Sequence, residues 1–155
     1  MDNTTQIDKI LEVRDLKTYF YTDDGVVKAV DGVDFDVRRG EIVALVGESG
    51  CGKSVTSFSI MQLVGTPGKV VGGEVLFNGQ DLLKLSEADM RLMRGDRLSM
   101  IFQQPTSCLN PVFRVGDQIA EVLQIHRGMD KKEGWKKAVH LLRTVGIPEP
   151  EKRVS

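Results

Sequence analysis

The chain has little of what marks secreted, membrane-spanning or nucleic-acid-binding proteins. It has two cysteines, Cys51 and Cys108, and their separation matches neither a metal-ligand spacing nor a disulfide framework. No apolar run approaches the length of a membrane-spanning helix, and residues 1–10 are polar, unlike a signal peptide. The 21 basic and 22 acidic residues nearly cancel, which gives no electrostatic case for nucleic acid. We therefore expect a cytosolic protein without a nucleic-acid partner.

The bulk composition is that of an ordinary folded domain. The chain has 155 residues, of which 41% are hydrophobic and 28% are charged, so it can bury a core. This length corresponds to one domain or to a large piece of one.

One glycine-rich stretch organises the chain. Residues 47–54 read GESGCGKS and fit the pattern G-x-x-x-x-G-K-[ST]. The apolar run at 41–46 has the length of a buried strand, and residues 54–64 carry apolar side chains at a spacing that suits a helix. Strand, glycine loop and helix together are the context that a phosphate-binding loop requires.

The residue types in this loop suit a phosphate. Glycines allow backbone angles that a Cβ would forbid, and they let amide groups approach an anion closely. These amides and the helix N-terminus form a nest of partial positive charge. Lys53 adds a full charge for the β- and γ-phosphates, and the Ser54 hydroxyl is a ligand for Mg²⁺. The loop residues predicted to bind the phosphates of a nucleotide are Gly47, Glu48, Ser49, Gly50, Cys51, Gly52, Lys53, Ser54 and Val55.

The rest of the chain predicts strands before the loop and mostly helices in the last fifty residues. An Asp-Asp-Gly turn at 23–25 joins extended stretches at 10–22 and 26–38, and a further strand at 73–79 ends in Asn-Gly. Residues 98–102 read as another buried strand. A first helix is predicted from a cap formed by Ser86 and Asp89 to about Arg94. A second is predicted around 119–126, ending before Gly128, with an apolar face of Ile119, Val122, Leu123 and His126. A third is predicted from a cap at Asp130 and Glu133 to Gly146, with an inner face of Trp135, Ala138, Val139 and Leu142. These elements predict an α/β domain with a parallel sheet and a separate antiparallel layer.

This arrangement resembles the ATP-binding subunits of ABC transporters. The resemblance rests on RGE at 39–41, the loop, and MIFQ at 100–103, and it covers essentially the whole chain from Leu11. VGGEVLF at 71–77 and IFQQP at 101–105, followed by Ser107, Leu109, Asn110 and Pro111, are similar to the D-type ATPase subunits of bacterial dipeptide, oligopeptide and nickel importers. Those subunits usually carry an acidic residue where Gln104 stands.

The resemblance implies roles for particular residues. Lys53 and Gln103 would be catalytic, and Ser54 and Gln103 would contact Mg²⁺, with Gln103 as the Q-loop glutamine that also touches the attacking water. An aromatic side chain would stack on adenine, and the family pattern places it at Phe20, with Tyr19 and Tyr21 one residue away on either side.

The resemblance also implies a fold, a division of the chain and partners. The expected fold is a P-loop NTPase (RecA-like) core in a truncated form. Residues 10–40 and 70–80 would form the antiparallel layer, 41–64 and 97–104 the P-loop core, and 105–155 the Q-loop and the start of a helical subdomain. Partners would be a second ATP-binding subunit, transmembrane permease subunits contacting residues 104–115 and, indirectly, an extracellular solute-binding protein. The expected location is the inner face of the cell membrane.

The family's signature sequence, acidic Walker B strand, catalytic glutamate and switch histidine are not found in these 155 residues. We therefore expect the chain to bind nucleotide and to be unable to hydrolyse it alone.

Other interpretations remain open. The chain could serve nickel import, or it could be a non-transport ABC-type ATPase. A P-loop kinase or GTPase is disfavoured because neither lid arginines nor a guanine-recognition motif is found. His126 and His140 are interpreted as structural, and the lysines around Trp135 as a solvated helix face.

Overall fold

The computed structural model describes residues 8–104 and 108–154. The chain divides into two compact units between Met90 and Arg91. Within the described residues, no helix has the length and apolar character needed to cross a membrane. Residues 1–7, 105–107 and 155 lie outside the described residues, and these include Pro105, Ser107 and part of the predicted 104–115 contact zone.

The first unit is built on an antiparallel sheet that has four strands in the described residues. Strands β1 (Lys9–Thr22) and β2 (Gly25–Arg38) form a long hairpin that turns at the predicted Asp-Asp-Gly. Strand β3 (Gly68–Phe77) pairs with the other edge of β1, and the short β4 (Gln80–Asp81) follows it after Asn-Gly, giving the order β2-β1-β3-β4. The predicted hairpin and the predicted strand at 73–79 are therefore confirmed.

A kink in β1 requires a glycine in the neighbouring strand. The register of β1 against both neighbours shifts around Asp15, whose φ is 46°. Gly73 on β3 has φ 96°, and a Cβ there would lie 2.5 Å from the Asp15 backbone oxygen and 2.6 Å from the Cα of Leu16. Since that space is filled by backbone, the kink brings β1 and β3 closer together than a side chain at position 73 allows.

The helix after the glycine loop differs in two respects from the prediction. Helix α1 spans Lys53–Ile60 and not 54–64, because Gln62 adopts a left-handed backbone with φ 50°. The buried residues of this helix are Thr56 and Ser59, not its apolar residues. Small hydroxyl side chains let the helix approach the sheet closely, and their polar atoms bond within the contact.

Neither predicted core strand of the parallel sheet is formed. Residues 41–46 have no strand pairing, and Ile42 and Val46 are 97% and 92% exposed. At 98–102 only Leu98 makes an isolated bridge, to Arg94, and Ile101 is 92% exposed. A strand is defined by hydrogen bonds to its neighbours, and the described residues supply no neighbour for either segment. The sequence pattern marked segments suited to burial but could not show what would pair with them.

Helices account for most of the regular structure after β4. Helix α2 (Glu87–Met93) follows a 3-10 turn at Leu82–Lys84, and the Ser86 hydroxyl accepts from the Asp89 amide (3.2 Å), as the predicted cap requires. Helix α3 (Val115–Arg127) ends at left-handed Gly128, and α4 (Lys131–Thr144) begins at Asp130, which accepts from the amides of Lys132 and Glu133. A final turn, α5, spans Pro150–Arg153.

Small residues set the contact between α3 and α4. Ala120 and Ala138 are almost fully buried, and a Cβ at Gly134 would lie 3.1 Å from the Ala120 methyl group. Of the predicted faces, Ala138 is buried, Val122 is 47% exposed and the other residues are half-buried. The prediction missed the two buried residues of α3, Gly116 and Ala120, which lie one turn apart against α4. His126 is half-buried beside Gly95, a packing position that agrees with its structural interpretation.

Candidate functional site

The glycine loop reaches the helix through a backbone turn that only glycine adopts readily. The amide of Cys51 donates to the Glu48 oxygen (3.3 Å), and Gly52 has φ 94° at the N-cap of α1. A Cβ on Gly52 would collide with the backbone oxygen of Ala29 in β2, where the pairing with β1 skips a residue. The start of α1 is thus held directly against β2, and the position of the loop is tied to the sheet.

The lysine of the motif lies inside its own loop. Nζ of Lys53 donates to the backbone oxygens of Gly47 (2.8 Å) and Glu48 (2.6 Å), and it is 3.5 Å from the Cys51 sulfur. These contacts wrap the loop around a positive charge at the N-terminal end of a helix. Both the charge and the helix end favour an anion at this place.

The side chains on either side of Lys53 are accessible. Cys51 and Ser54 are exposed, and Val55 is half-buried. The Ser54 hydroxyl thus lies in the first turn of α1, next to the lysine. Mg²⁺ bound with a nucleotide takes only one or two protein ligands beside phosphate oxygens and water, so a single hydroxyl suits it. Among the described residues, no group of three or more His, Cys, Asp or Glu side chains is placed to hold a metal by itself.

The three aromatic residues of β1 alternate between the two faces of the sheet. Phe20 shares a face with Thr18, which contacts α1. The Phe20 ring is half-buried and packs over Gly68, where an added Cβ would lie 2.7 Å from a ring carbon. Phe20 also pairs with Val27, two residues from the Ala29 that contacts the loop, a separation of about 7 Å along a strand. The sheet therefore presents Phe20 on the α1 side, near the loop.

Tyr19 is engaged on the opposite face. Its hydroxyl donates to Asp31 (2.5 Å), and the Lys28 ammonium lies 5.3 Å from the centre of its ring. The hydrogen bond to Asp31 raises the pKa of Tyr19, and the same bond is the main cause that lowers the pKa of Asp31. Tyr21 lies on this face too and is 48% exposed. Of the three candidates, Phe20 alone lies on the face that carries α1.

A buried polar link that the sequence did not predict joins β1 to α1. The Thr18 and Ser59 hydroxyls are 2.7 Å apart, and both residues are fully buried. Thr56 makes a related contact, donating from its hydroxyl to the Gly52 oxygen (3.0 Å). The signal available in the sequence was the spacing of Thr56 and Ser59, which puts two small hydroxyls on one helix face.

Gln103 belongs to the second unit and is exposed outside any helix or strand. In the same unit, the predicted permease-contact zone borders an apolar groove of ≈ 430 Å³. Its lining includes Leu109, Ile119, Val122, Leu123 and Leu141.

Sheet, loop and helix together define a nucleotide-binding protein of the P-loop class. A sequence model of the ABC transporter family matches residues 30–155, and the chain belongs to that family. A dimeric bacterial ABC transporter cassette of known structure has the same fold, with a TM-score of 0.77 at 24% identity over 90% of this chain and 58% of that one. The predicted P-loop NTPase class is therefore confirmed.

The curated relatives support the narrower resemblance. A probable peptide ABC transporter ATP-binding protein of Sinorhizobium fredii is 49% identical over 100% of this chain and 47% of its own length. The oligopeptide transport ATP-binding protein OppD of Bacillus subtilis is 50% identical over 97% of this chain and 42% of its own length. The dipeptide transport ATP-binding protein DppD of the same organism is 49% identical over 96% of this chain and 44% of its own length. The chain thus spans less than half the length of these relatives.

Proposed function

We propose that this chain is the nucleotide-binding part of the energising subunit of an ABC importer for dipeptides or oligopeptides. The observation that carries the proposal is the loop at 47–54, closed around Lys53 at the start of α1. Peptide is the proposed cargo because the relatives that match over nearly the whole chain are named for peptide transport. A nickel importer subunit or a non-transport ABC-type ATPase would use the same loop, and no contact among the described residues favours either.

The complete subunit would hydrolyse ATP, and its catalytic residues here would be Lys53 and Gln103. These 155 residues carry no counterpart of the signature, Walker B acid or switch histidine, so we propose that they bind nucleotide without steady turnover. The nucleotide would be bound with Mg²⁺, held by Ser54 and Gln103, and the ion would neutralise charge on the phosphates. The exposed Ser54 hydroxyl supports this assignment.

The proposed partners follow from the second unit and from the family. Permease subunits at the inner face of the cell membrane would contact the region after Gln103. The apolar groove beside Leu109 supports this proposal, because exposed apolar grooves commonly receive partner helices. A second ATP-binding subunit would complete the nucleotide site, and an extracellular solute-binding protein would deliver the cargo to the permease. The whole chain at 1–155 would then be the N-terminal part of a nucleotide-binding domain.

Replacing Phe20 with alanine tests the adenine contact. Stacking on a base contributes about 1–3 kcal/mol, so Phe20→Ala should weaken Mg-ATP binding by about 5- to 150-fold. Inorganic tripolyphosphate has no base, and its affinity should be nearly unchanged. Calorimetric titration of both ligands gives the comparison. Tyr21→Ala on the opposite face is the matched control and should alter neither affinity, whereas a larger loss from Tyr19→Ala or Tyr21→Ala would move the stacking role to that residue.

Cysteine labelling provides a second test, with an internal control in the same chain. Cys51 and Cys108 are both exposed, and only Cys51 belongs to the glycine loop. A maleimide adduct on Cys51 would occupy the space that the phosphates need, so saturating Mg-ATP should slow labelling of Cys51 and leave Cys108 unaffected. Mass spectrometry after brief treatment measures both sites. Equal labelling of Cys51 with and without Mg-ATP would contradict phosphate binding in this loop. Cys51→Ser should retain binding, because the loop uses the backbone amide of that residue.

A further inference from the structure

We propose that the Thr18–Ser59 hydroxyl pair positions the adenine-stacking ring relative to the phosphate loop. This inference rests on the proposed nucleotide binding and assigns two positioning residues to the same site. Neither residue belongs to the loop motif, and neither is proposed to contact nucleotide. Both belong to the elements that carry the two halves of the site, because Thr18 is on β1 with Phe20 and Ser59 is on α1 with Lys53.

The hydrogen bonds have a defined direction. The Ser59 hydroxyl has one proton and donates it to the Val55 backbone oxygen at 2.7 Å. In the 2.7 Å contact with Ser59, Thr18 must therefore be the donor. The chain of bonds runs from β1 to the Ser59 hydroxyl and on to the backbone of Val55, in the first turn of α1. Val55 follows Ser54 and is the last of the residues predicted to bind the phosphates, so the link ends at the edge of the proposed phosphate site.

The same strand carries the ring. Thr18 and Phe20 are two residues apart on β1 and share a face, so fixing Thr18 against α1 fixes the distance from the ring to the start of the helix. An apolar pair could fill this buried space equally well, since two buried hydroxyls add little net stability over apolar groups of the same shape. A hydrogen bond differs from apolar packing in being directional, and it permits one register of helix against strand.

The test separates adenine positioning from general stability. Thr18→Val keeps the shape of the side chain and removes the donor, while Ser59 keeps its own bond to Val55. The loss of this one hydrogen bond should weaken Mg-ATP binding about 3- to 10-fold, because the ring is no longer held in position for adenine. Binding of Mg-tripolyphosphate should change by less than about twofold, since the loop itself is unaltered. Thr18→Ser should restore the wild-type affinity for Mg-ATP. Thr22→Val is the matched control, because Thr22 lies on the same face of β1 and bonds to the Gly25 oxygen of the turn instead of to α1.

A double-mutant cycle shows whether Thr18 acts through the ring. In the Phe20→Ala background, Thr18→Val should have no further effect on Mg-ATP, because the group being positioned is gone. Equal losses for both ligands, or a loss that persists without Phe20, would assign Thr18 a purely structural role and overturn the inference. If the ratio of the Mg-ATP affinity to the Mg-tripolyphosphate affinity is the same in Thr18→Val as in the wild type, the inference is also overturned. A wild-type chain that binds neither ligand would instead refute the proposed function, and this inference with it.

Discussion

Lys53→Ala should abolish measurable binding of both Mg-ATP and Mg-tripolyphosphate. The ammonium group is the full positive charge of the loop, and hydrogen bonds to charged groups contribute about 1.5–3 kcal/mol each. Losing two such bonds to phosphate corresponds to a drop in affinity of at least about 100-fold. The substitution also removes the contacts that close the loop over Gly47 and Glu48. Calorimetric titration of both ligands measures the loss.

Lys136→Ala is the matched control, because it removes the same charge from an exposed position on α4. Its nucleotide affinity should equal that of the wild type. Retention of binding by Lys53→Ala would show that nucleotide binds elsewhere on the chain. A parallel loss in both lysine variants would attribute binding to overall charge and not to the loop.

Gly52→Ala should destabilise the fold and abolish nucleotide binding together. An alanine at φ 94° costs about 1–2 kcal/mol from its left-handed backbone alone. The added Cβ would in addition collide with the Ala29 oxygen, which belongs to the backbone of the sheet and cannot rotate away. We expect a total loss of about 3–5 kcal/mol, measured by urea unfolding. The start of α1 would have to leave β2, which would displace Lys53 and Ser54.

Gly50→Ala separates the two contributions. Gly50 has φ 84°, but an added Cβ there meets nothing within 4 Å. It should therefore lose only about 1–2 kcal/mol, from backbone conformation. Equal destabilisation by the two alanines would mean that the contact between Gly52 and Ala29 does not hold the loop to the sheet.

Local signals in the sequence predicted the parts of the fold that depend on neighbouring residues. The Asp-Asp-Gly hairpin, the Asn-Gly turn, the Ser86 and Asp130 caps and the Gly128 helix end all form as expected. Each of these features is determined by residues within a few positions of each other. The glycine loop was recognisable for the same reason, because its chemistry lies in eight consecutive residues.

Features that depend on distant residues were missed or incorrectly predicted. Residues 41–46 have the composition of a buried strand, yet they lie exposed because pairing needs a partner strand that their own sequence cannot specify. The Thr18–Ser59 bond joins residues 41 positions apart, and the sequence around either residue does not predict the other as its partner. The same holds for Gly52, whose motif role was evident while its contact with Ala29 was not. The assignment of Phe20 over Tyr19 remains a prediction, supported by the face of β1 on which each ring lies.

The most direct test of the central claim is an NMR titration of the isotope-labelled chain with Mg-ATP, following the backbone amides. If residues 47–55 bind the phosphates, the largest shifts should occur at those amides, with smaller shifts around Phe20 and none beyond the control level in α4. Mg-tripolyphosphate should reproduce the shifts in the loop without those at Phe20. Shifts centred outside the loop, or an unchanged loop at saturating Mg-ATP, would contradict the account.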